Sequence, residues 1–371
     1  MVFPGIVDDL PPLMAAAECI GLHGALVTVV AVGASEAVSD HMASRKVRLI
    51  SLARVAYPGT VAGKFLLRLS FSRLLRRAAG EATPDVIWYH GGHAMAYSGV
   101  LRGCRCLRVA HAHELYDRMR RLRMIQNEFL RKADLCIVPE ENRAWILKVD
   151  SGARAPFVVV PNCPPMDSLP AVRDKDAART AFHAHGGSPE CGRFIIYQGL
   201  MDPGRSVVKI VEAFRQLEDR HVGLILLGWG AESYIAQVRA AVDGDGRIAM
   251  IPRVPPPGHL EITAGCSVGV ISYEPTSLNT VYCAPNKLWE YALLGVAVLA
   301  PAYPGLKGVI GRTVRGTTYD PASQASMKKG MADLLNGKIG EDDFDPSSFP
   351  SVPKLYADIH ARLCGGLSRH E

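Results

Sequence analysis

The sequence lacks several features that would indicate a membrane-spanning or secreted protein. No segment of the 371 residues approaches the roughly 20 consecutive apolar residues of a transmembrane helix. The first residues show no basic segment followed by a long apolar stretch, so no signal peptide is expected. The nine cysteines are scattered, without a Cys-x-x-Cys pair or zinc-like Cys/His spacing, which favours reduced thiols. These absences predict a cytoplasmic protein.

A large excess of charge is also lacking. The 42 lysines and arginines against 36 aspartates and glutamates give a net charge of +6, which does not indicate nucleic acid binding. The basic residues are unevenly placed, with clusters at 64–77 and 118–132. In residues 64–77 they alternate with leucines and phenylalanines. That segment predicts either a helix with its apolar side packed inward, or an interfacial helix that contacts an anionic membrane and makes the protein peripheral on it.

The sequence does contain two successive sets of short apolar runs, each run followed by a helix-like stretch. Such runs, for example Leu26–Val32 and Val268–Ser272, indicate strands buried on both faces of a parallel sheet. We therefore predict an α/β protein with two doubly wound, Rossmann-like domains whose parallel sheets face each other across an interdomain cleft. The expected domains are 1–165 and 170–350, with a C-terminal helix at 353–371 that crosses back onto the first domain.

The beginning of the chain fits this architecture less well. A doubly wound domain opens with a full strand, whereas only Met1–Phe3 has that character here, so the first strand is expected to be very short or incomplete. No Gly-x-Gly-x-x-Gly follows it, which disfavours an NAD-dependent dehydrogenase. The loose stretch from Cys163 to Pro170 predicts the linker between the domains.

The strongest chemical signal is the run Pro285-Asn286-Lys287-Leu288-Trp289-Glu290, in which Pro285 or Asn286 begins a helix. A helix N-terminus presents unpaired N–H groups and a positive partial charge, which suit a pyrophosphate. Glu290 lies four residues after Asn286 and therefore on the same face, one turn further along. A carboxylate there can accept both hydroxyls of a ribose. The run predicts a nucleoside diphosphate site at Asn286, Lys287 and Glu290.

This run resembles the Pro-Asn-Lys-Leu-x-Glu-Tyr-x-x-x-Gly-x-Pro-Val signature of glycosyltransferase family 4. The resemblance implies the GT-B fold, a hexosyltransferase that retains anomeric configuration, and a C-terminal domain that binds the donor with Glu290 on the ribose. It also implies that no cofactor or metal is needed beside the nucleoside diphosphate sugar. The chain departs from the signature at Ala297, where proline is usual, and at Tyr282, where many members carry a second glutamate near the donor hexose.

The family has basic residues after the first strand of its donor domain, and these hold the diphosphate. Gly199 and Arg205 match that turn, while Leu200 occupies the first basic position. The forked guanidinium of Arg205 suits a phosphate, the alternative being a surface residue at a helix start. Lys287 is the candidate for the missing charge.

Two further loops of the second domain resemble donor-binding segments of the family. Gly228 and Gly230 resemble its Gly-x-Gly, a weak signal that is equally typical of a simple turn. Arg253 stands where the family places a loop beside the base. We predict these three residues as donor contacts.

The first domain carries two pairs of histidines at predicted strand ends. His111-Ala112-His113-Glu114 resembles the family's Asp-x-His-Glu turn, which implies catalytic roles for His113 and Glu114. His90, His93 and His111 are predicted to line the acceptor pocket, the alternative being histidines that cap strands. A metal is not expected, because no carboxylate pattern of a metal-dependent transferase accompanies them.

These features predict retaining transfer of a hexose from a UDP-, GDP- or dTDP-sugar to a hydroxyl of a glycan, a lipid-linked saccharide or a small natural product. One alternative is a GT-B-like sugar-nucleotide epimerase, for which no acid/base set is evident. The other is a catalytically degenerate GT-B subunit that binds a partner, which Leu200 and Tyr282 favour.

Overall fold

The computed structural model describes residues 1–52, 59–164, 169–170, 174–338 and 349–367. The chain divides into two compact units, one of Met1–Asn162 with Pro350–Glu371 and one of Cys163–Phe349. Each unit contains one parallel β-sheet with helices between its strands, which confirms the predicted α/β class with two Rossmann-like domains. The middle of the expected linker and the last four residues of the C-terminal helical pattern lie outside the described residues.

The first unit alternates strands and helices from its beginning. Its strands are β1 (Val2–Ile6), β2 (Thr28–Gly33), β3 (Arg48–Ser51), β4 (Val86–His90), β5 (Leu107–His111), β6 (Leu135–Val138) and β7 (Phe157–Val159). Its helices are α1 (Pro11–Leu22), α2 (Glu36–Ser44), α3 (Val61–Ala82), α4 (Gly91–Met95), α5 (Arg120–Leu130) and α6 (Glu141–Ser151). The sheet order is β3-β2-β1-β4-β5-β6-β7, with every paired strand parallel.

The first strand is longer than the sequence indicated. β1 extends to Ile6 and lies in the middle of the sheet, between β2 and β4. Its register with β2 shifts between Phe3 and Ile6. Pro4 has no N–H to donate, so a shift at this point allows a proline within an inner strand.

The second unit repeats the same plan. Its strands are β8 (Arg193–Met201), β9 (Val222–Gly230), β10 (Ile248–Pro252), β11 (Val268–Val270), β12 (Ala297–Pro301) and β13 (Gly316–Tyr319). Its helices are α7 (Lys175–Ala184), α8 (Val207–Arg215), α9 (Glu232–Val242), α10 (His259–Ala264), α11 (Leu278–Val281), α12 (Asn286–Leu293), α13 (Pro304–Lys307) and α14 (Gln324–Leu335). The sheet order is β10-β9-β8-β11-β12-β13, again parallel throughout.

The strand order reverses direction once in each sheet, beside β1 in the first and beside β8 in the second. In open parallel sheets, ligands bind outside the carboxyl ends of the strands at such a point. The loops after β4 and β5 in the first unit, and after β8 and β11 in the second, are therefore where functional side chains are expected.

A final helix, α15 (Val352–Leu367), belongs to the first unit and packs against α1 and β5. Tyr356 is almost fully buried, and its ring centroid lies 6.1 Å from that of Trp88 on β4. The helix therefore contributes to the core of the first unit. None of the helices in the described residues combines the length and apolar character needed to span a bilayer.

Candidate functional site

The predicted pyrophosphate-binding helix is present as α12. It begins at Asn286, with Pro285 in an extended conformation before it. Proline has no side chain that can cap the helix, so the first N–H groups keep their capacity to bind an anion. Leu288 and Trp289 are buried, which places Lys287 and Glu290 on the less buried side of the helix. The helix thus presents its polar residues as the sequence indicated.

Two cations lie close to the start of this helix. The Lys287 amine is 4.2 Å from the ring centroid of Tyr197, and the Arg205 guanidinium carbon is 4.4 Å from that of Tyr273. Burial, reinforced by the nearby charge of Arg205, lowers the pKa of Lys287 to about 7. Gly199 has φ +116, and a Cβ there would lie 3.5 Å from the Lys287 amine. These residues form a positively charged region beyond the carboxyl end of β8.

Glu290 is held by a hydrogen-bond network that the sequence did not predict. Its carboxylate accepts a hydrogen bond from the Gln198 amide, and the Thr263 hydroxyl donates to the Gln198 carbonyl at 2.6 Å. His259 Nε2 lies 3.7 Å from the same carboxylate. Gln198 is separated from Glu290 by 92 positions, and only its neighbour Gly199 in the turn marked this place in the sequence. The network fixes the carboxylate at the edge of the sheet.

Gly228 and Gly230 have a reason to be glycine within the protein itself. Gly228 pairs with Gly199 and Gly230 pairs with Met201 along β8. A Cβ would come within 1.9 Å of the Gly199 carbonyl oxygen at position 228, and within 2.1 Å of the Met201 carbonyl oxygen at position 230. The two glycines therefore allow β9 to approach β8, and a role in donor binding stays a prediction.

Arg253 forms a stacked pair at the end of the neighbouring strands. Its guanidinium carbon lies 4.6 Å from the ring centroid of Trp229, and the indole is 44% exposed. A half-exposed indole and a guanidinium both offer flat faces to a nucleobase. Arg253 was predicted from the sequence and Trp229 was not, although Trp229 is the middle residue of the Gly-x-Gly formed with Gly228 and Gly230.

The histidines of the first unit lie at adjacent strand ends. His90 ends β4, His111 ends β5, and the two are register partners. His113 follows, with its Nε2 3.2 Å from His90 Nδ1. His90 and His111 are each 1% exposed, so they are enclosed in the structure, and their predicted contact with an acceptor stays a prediction. His93 lies apart on α4, exposed and edge-on to Tyr116.

The two residues predicted as catalytic differ in their surroundings. Burial, with the charge of Arg143, lowers the pKa of His113 to about 3, so its imidazole is neutral at physiological pH. The Arg143 guanidinium donates to the His113 carbonyl and lies 4.0 Å from the Glu114 carboxylate. Glu114 is half exposed. His113 can therefore give or accept a hydrogen bond, while proton donation from an imidazolium is disfavoured.

A pH dependence follows from Lys287. Its neighbours Arg205, Glu290, Asp202 and Cys283 set the balance of charge around it. A bound diphosphate would favour the protonated amine and raise the pKa of Lys287. The affinity for the diphosphate should therefore fall as the pH rises through the pKa that Lys287 has in the unliganded protein. We expect a nucleoside diphosphate sugar to bind about tenfold more weakly at about pH 8.5 than at about pH 6.5. Calorimetric titration across this range measures it, and Lys287→Met should remove the dependence. An equally steep profile in Lys287→Met would contradict it.

Two Rossmann-like units, each with one parallel sheet of this strand order, are the architecture of the GT-B fold. Residues 17–166 match the family model described as Glycosyltransferase Family 4. The first unit is therefore similar in sequence to glycosyltransferase family 4 over these residues, and the two parallel-sheet units have the architecture predicted for a GT-B fold. No relative among curated proteins matches the sequence.

Solved structures agree on the fold. Sucrose-phosphate synthase from Thermosynechococcus elongatus superposes with a TM-score of 0.69 at 18% identity, covering 97% of this chain and 92% of the other. HepE from Anabaena, in complex with UDP and glucose, has a TM-score of 0.66 at 14% identity, covering 94% and 90%. A protein assigned as UDP-N-acetylglucosamine 2-epimerase from Listeria monocytogenes has a TM-score of 0.65 at 13% identity, covering 96% and 93%.

Proposed function

We propose that this chain transfers a hexose from a nucleoside diphosphate sugar to a hydroxyl acceptor with retention of anomeric configuration. The observation that carries the proposal is the meeting of Arg205, Lys287 and Glu290 around the start of α12. A diphosphate needs positive charge and N–H donors, and a ribose needs an acceptor for its two hydroxyls. The HepE structures, which contain UDP or UDP-glucose, support a uridine nucleotide as the first donor to test.

The proposed catalysis is electrostatic. Breaking the bond between the sugar and the diphosphate places negative charge on the leaving oxygen, where Arg205, Lys287 and the helix N-terminus stabilise it. These cations supply the charge that a metal supplies in other transferases, so the proposed transfer step needs no metal ion. Asn286 would add a backbone N–H as the first residue of the helix, and the Trp229–Arg253 pair would stack on the base.

The acceptor side of the proposal rests on the first unit. Glu114 is the half-exposed carboxylate that would accept a proton from an acceptor hydroxyl. His93 is the exposed imidazole that would hydrogen-bond to the same hydroxyl. His113 would act as a neutral hydrogen-bonding group, since its pKa is held at about 3 by burial and by Arg143. A glycan, a lipid-linked saccharide and a small natural product all offer the hydroxyl that this chemistry requires.

Glu290→Gln tests the donor site. The substitution keeps the shape of the side chain and removes its charge, so both ribose hydroxyls lose a charged acceptor. We expect the dissociation constant of the donor to rise about 10- to 100-fold, the worth of a hydrogen bond to a charged group. Calorimetry with a panel of sugar nucleotides measures it. Glu232→Gln, at an exposed residue on α9, is the matched control. Unchanged affinity in Glu290→Gln would remove Glu290 from the site.

The sugar-nucleotide epimerase is the second candidate, because the fold of the Listeria protein resembles this chain about as closely as that of HepE, with TM-scores of 0.65 and 0.66. The two functions differ in what they need. An epimerase changes the configuration of the sugar without any acceptor, whereas a transferase releases the nucleoside diphosphate and extends an acceptor. Analysis of the sugar after incubation without an acceptor separates them. No sugar-nucleotide binding at all would favour the degenerate partner subunit.

We also propose that α3 brings the protein to an anionic membrane surface. Phe65, Leu66 and Leu69 on its first half are 61%, 52% and 40% exposed. Only Gly63, Phe71, Leu75 and Ala78 of the helix are buried. The helix therefore packs some of its apolar residues inward, as an ordinary helix would, and leaves the others exposed. Lys64, Arg68, Arg73, Arg76 and Arg77 lie beside them. An apolar strip flanked by cations suits the headgroup region of a bilayer.

Phe65→Ser combined with Leu66→Ser tests this contact. Each of these side chains contributes up to about 1.5–3 kcal/mol when buried, so binding to vesicles with anionic lipid should fall at least tenfold. Cosedimentation with phosphatidylserine-containing vesicles measures it, and binding of the unsubstituted protein should weaken as salt is raised. Leu22→Ser, at an apolar residue 75% exposed on α1, is the control. Equal binding by the two variants would exclude α3 as the contact.

A further inference from the structure

Three histidines of the first unit form a buried cluster, of which the proposed transfer uses only His113, as a hydrogen-bonding group. His90 and His111 end adjacent parallel strands as register partners, and His113 follows two residues after His111. Parallel strands bring their carboxyl ends to one edge of the sheet, so residues 21 positions apart in sequence meet there. Each histidine offers a ring nitrogen, and these atoms all lie within 4.8 Å of one another.

The cluster is buried and poorly supplied with hydrogen bonds. The three residues are 1%, 1% and 8% exposed. His90 Nδ1 and His113 Nε2, 3.2 Å apart, can share one proton. Four other ring nitrogens are buried without a hydrogen-bond partner among the described residues: His90 Nε2, both nitrogens of His111, and His113 Nδ1. An unsatisfied buried polar group is costly, so apolar side chains would serve better here if packing were the only purpose.

Each ring of the cluster has a nitrogen that could serve as a metal ligand. A neutral imidazole carries a lone pair on one of its two ring nitrogens, and that lone pair binds transition metal ions. Every ring has at least one nitrogen without a hydrogen-bond partner among the described residues.

We propose that His90, His111 and His113 together bind one divalent transition metal ion of the zinc class. Bonds of about 2.0–2.1 Å to a tetrahedral zinc ion place its ligand nitrogens about 3.3–3.4 Å apart, close to the 3.2 Å between His90 and His113. Imidazole ligands favour zinc, copper, nickel or iron over magnesium and calcium, which prefer oxygen. Three protein ligands leave one position of a tetrahedral ion for a non-protein ligand.

The ion would join the carboxyl ends of β4 and β5, and with them helix α4, which carries His93, and the loop that carries Glu114. The cation beside the cluster is Arg143, which donates to the His113 carbonyl and is close to the Glu114 carboxylate. No step of the transfer reaction is attributed to the ion. The proposed metal site can therefore be tested independently of the proposed donor site in the second unit.

Zinc binding to the full chain, without an affinity tag and stripped with a chelator, tests the proposal. Competition with a chromophoric chelator should show one tight equivalent of Zn²⁺ per chain. His111→Ala should weaken it by at least about 100-fold, since even groups that only orient a ligand are worth 10- to 100-fold. His23→Ala is the matched control, because His23 stacks on His360 beside Cys364 and would account for an adventitious surface site. Equal affinity in His111→Ala and the unsubstituted chain would overturn the proposal.

Cobalt substitution gives a second readout that does not depend on how well a variant folds. Co²⁺ bound to the unsubstituted chain by three imidazoles should show visible bands of a tetrahedral ion without the near-ultraviolet band of a cobalt–thiolate bond. A strong thiolate band would place the ion on a cysteine and contradict the proposal. Absence of any stoichiometric Zn²⁺ or Co²⁺ binding would contradict it as well, whatever the activity of the protein on sugar nucleotides.

Discussion

Arg205→Ala is expected to lower the turnover rate of sugar transfer by about 10²–10³-fold, the usual effect of removing one group that stabilises charge in a transition state. The loss should fall mainly on kcat, because the charge on the leaving diphosphate oxygen develops as the bond to the sugar breaks. In the proposed site Arg205 would carry most of this charge stabilisation, since Leu200 occupies the other basic position of the turn. Lys287, the remaining cation, is only partly protonated at neutral pH.

Rates of nucleoside diphosphate release, measured at saturating donor, check this expectation. Arg239→Ala is a suitable control, because Arg239 is 64% exposed on α9 and pairs only weakly with Glu232 at 3.4 Å. Arg205→Lys should recover part of the rate, since it restores the charge without the forked geometry. If Arg205→Ala kept more than about a third of the turnover rate, stabilisation of the leaving diphosphate would not depend on this guanidinium.

Much of the fold could be predicted because it depends on local pattern. Runs such as Leu26–Val32 and Val268–Ser272 indicated strands buried on both faces. β2 overlaps the first run and extends one residue beyond it to Gly33, and β11 lies within the second. The start of α12 could also be predicted, because a proline before a polar first turn is a local signal. The exception at Pro4 is informative. A proline normally argues against an inner strand, and here a register shift accommodates it.

The groups that act through distant partners could not be predicted. Gln198 is recognisable as a partner of Glu290 only once β8 and α12 are placed side by side. The histidine cluster is similar, because nothing in the spacing between His90 and His111 shows that they are register partners. The sequence also did not show which side of α3 is exposed, since its leucines and phenylalanines are divided between buried and exposed positions. Each of these depends on tertiary packing.

Gly228→Ala is expected to destabilise the unliganded protein by about 3 kcal/mol or more, at the upper end of what overpacking costs. The added Cβ would lie 1.9 Å from the carbonyl oxygen of Gly199 and 2.9 Å from its carbonyl carbon. Both are backbone atoms within the paired strands β8 and β9, so no side chain can move aside to make room. The strands would have to separate near their carboxyl ends.

Denaturant unfolding without any nucleotide measures this loss. Gly80→Ala is the control, because a Cβ added to Gly80 on α3 would meet no atom within 4 Å, and alanine there should stabilise by about 0.5–1 kcal/mol. The outcome also separates the two roles of Gly228. A glycine needed only for close approach of the nucleotide would leave the unliganded stability unchanged and weaken binding alone. The backbone contact with Gly199 instead requires that stability falls first, so lost activity in this variant would say little about the donor.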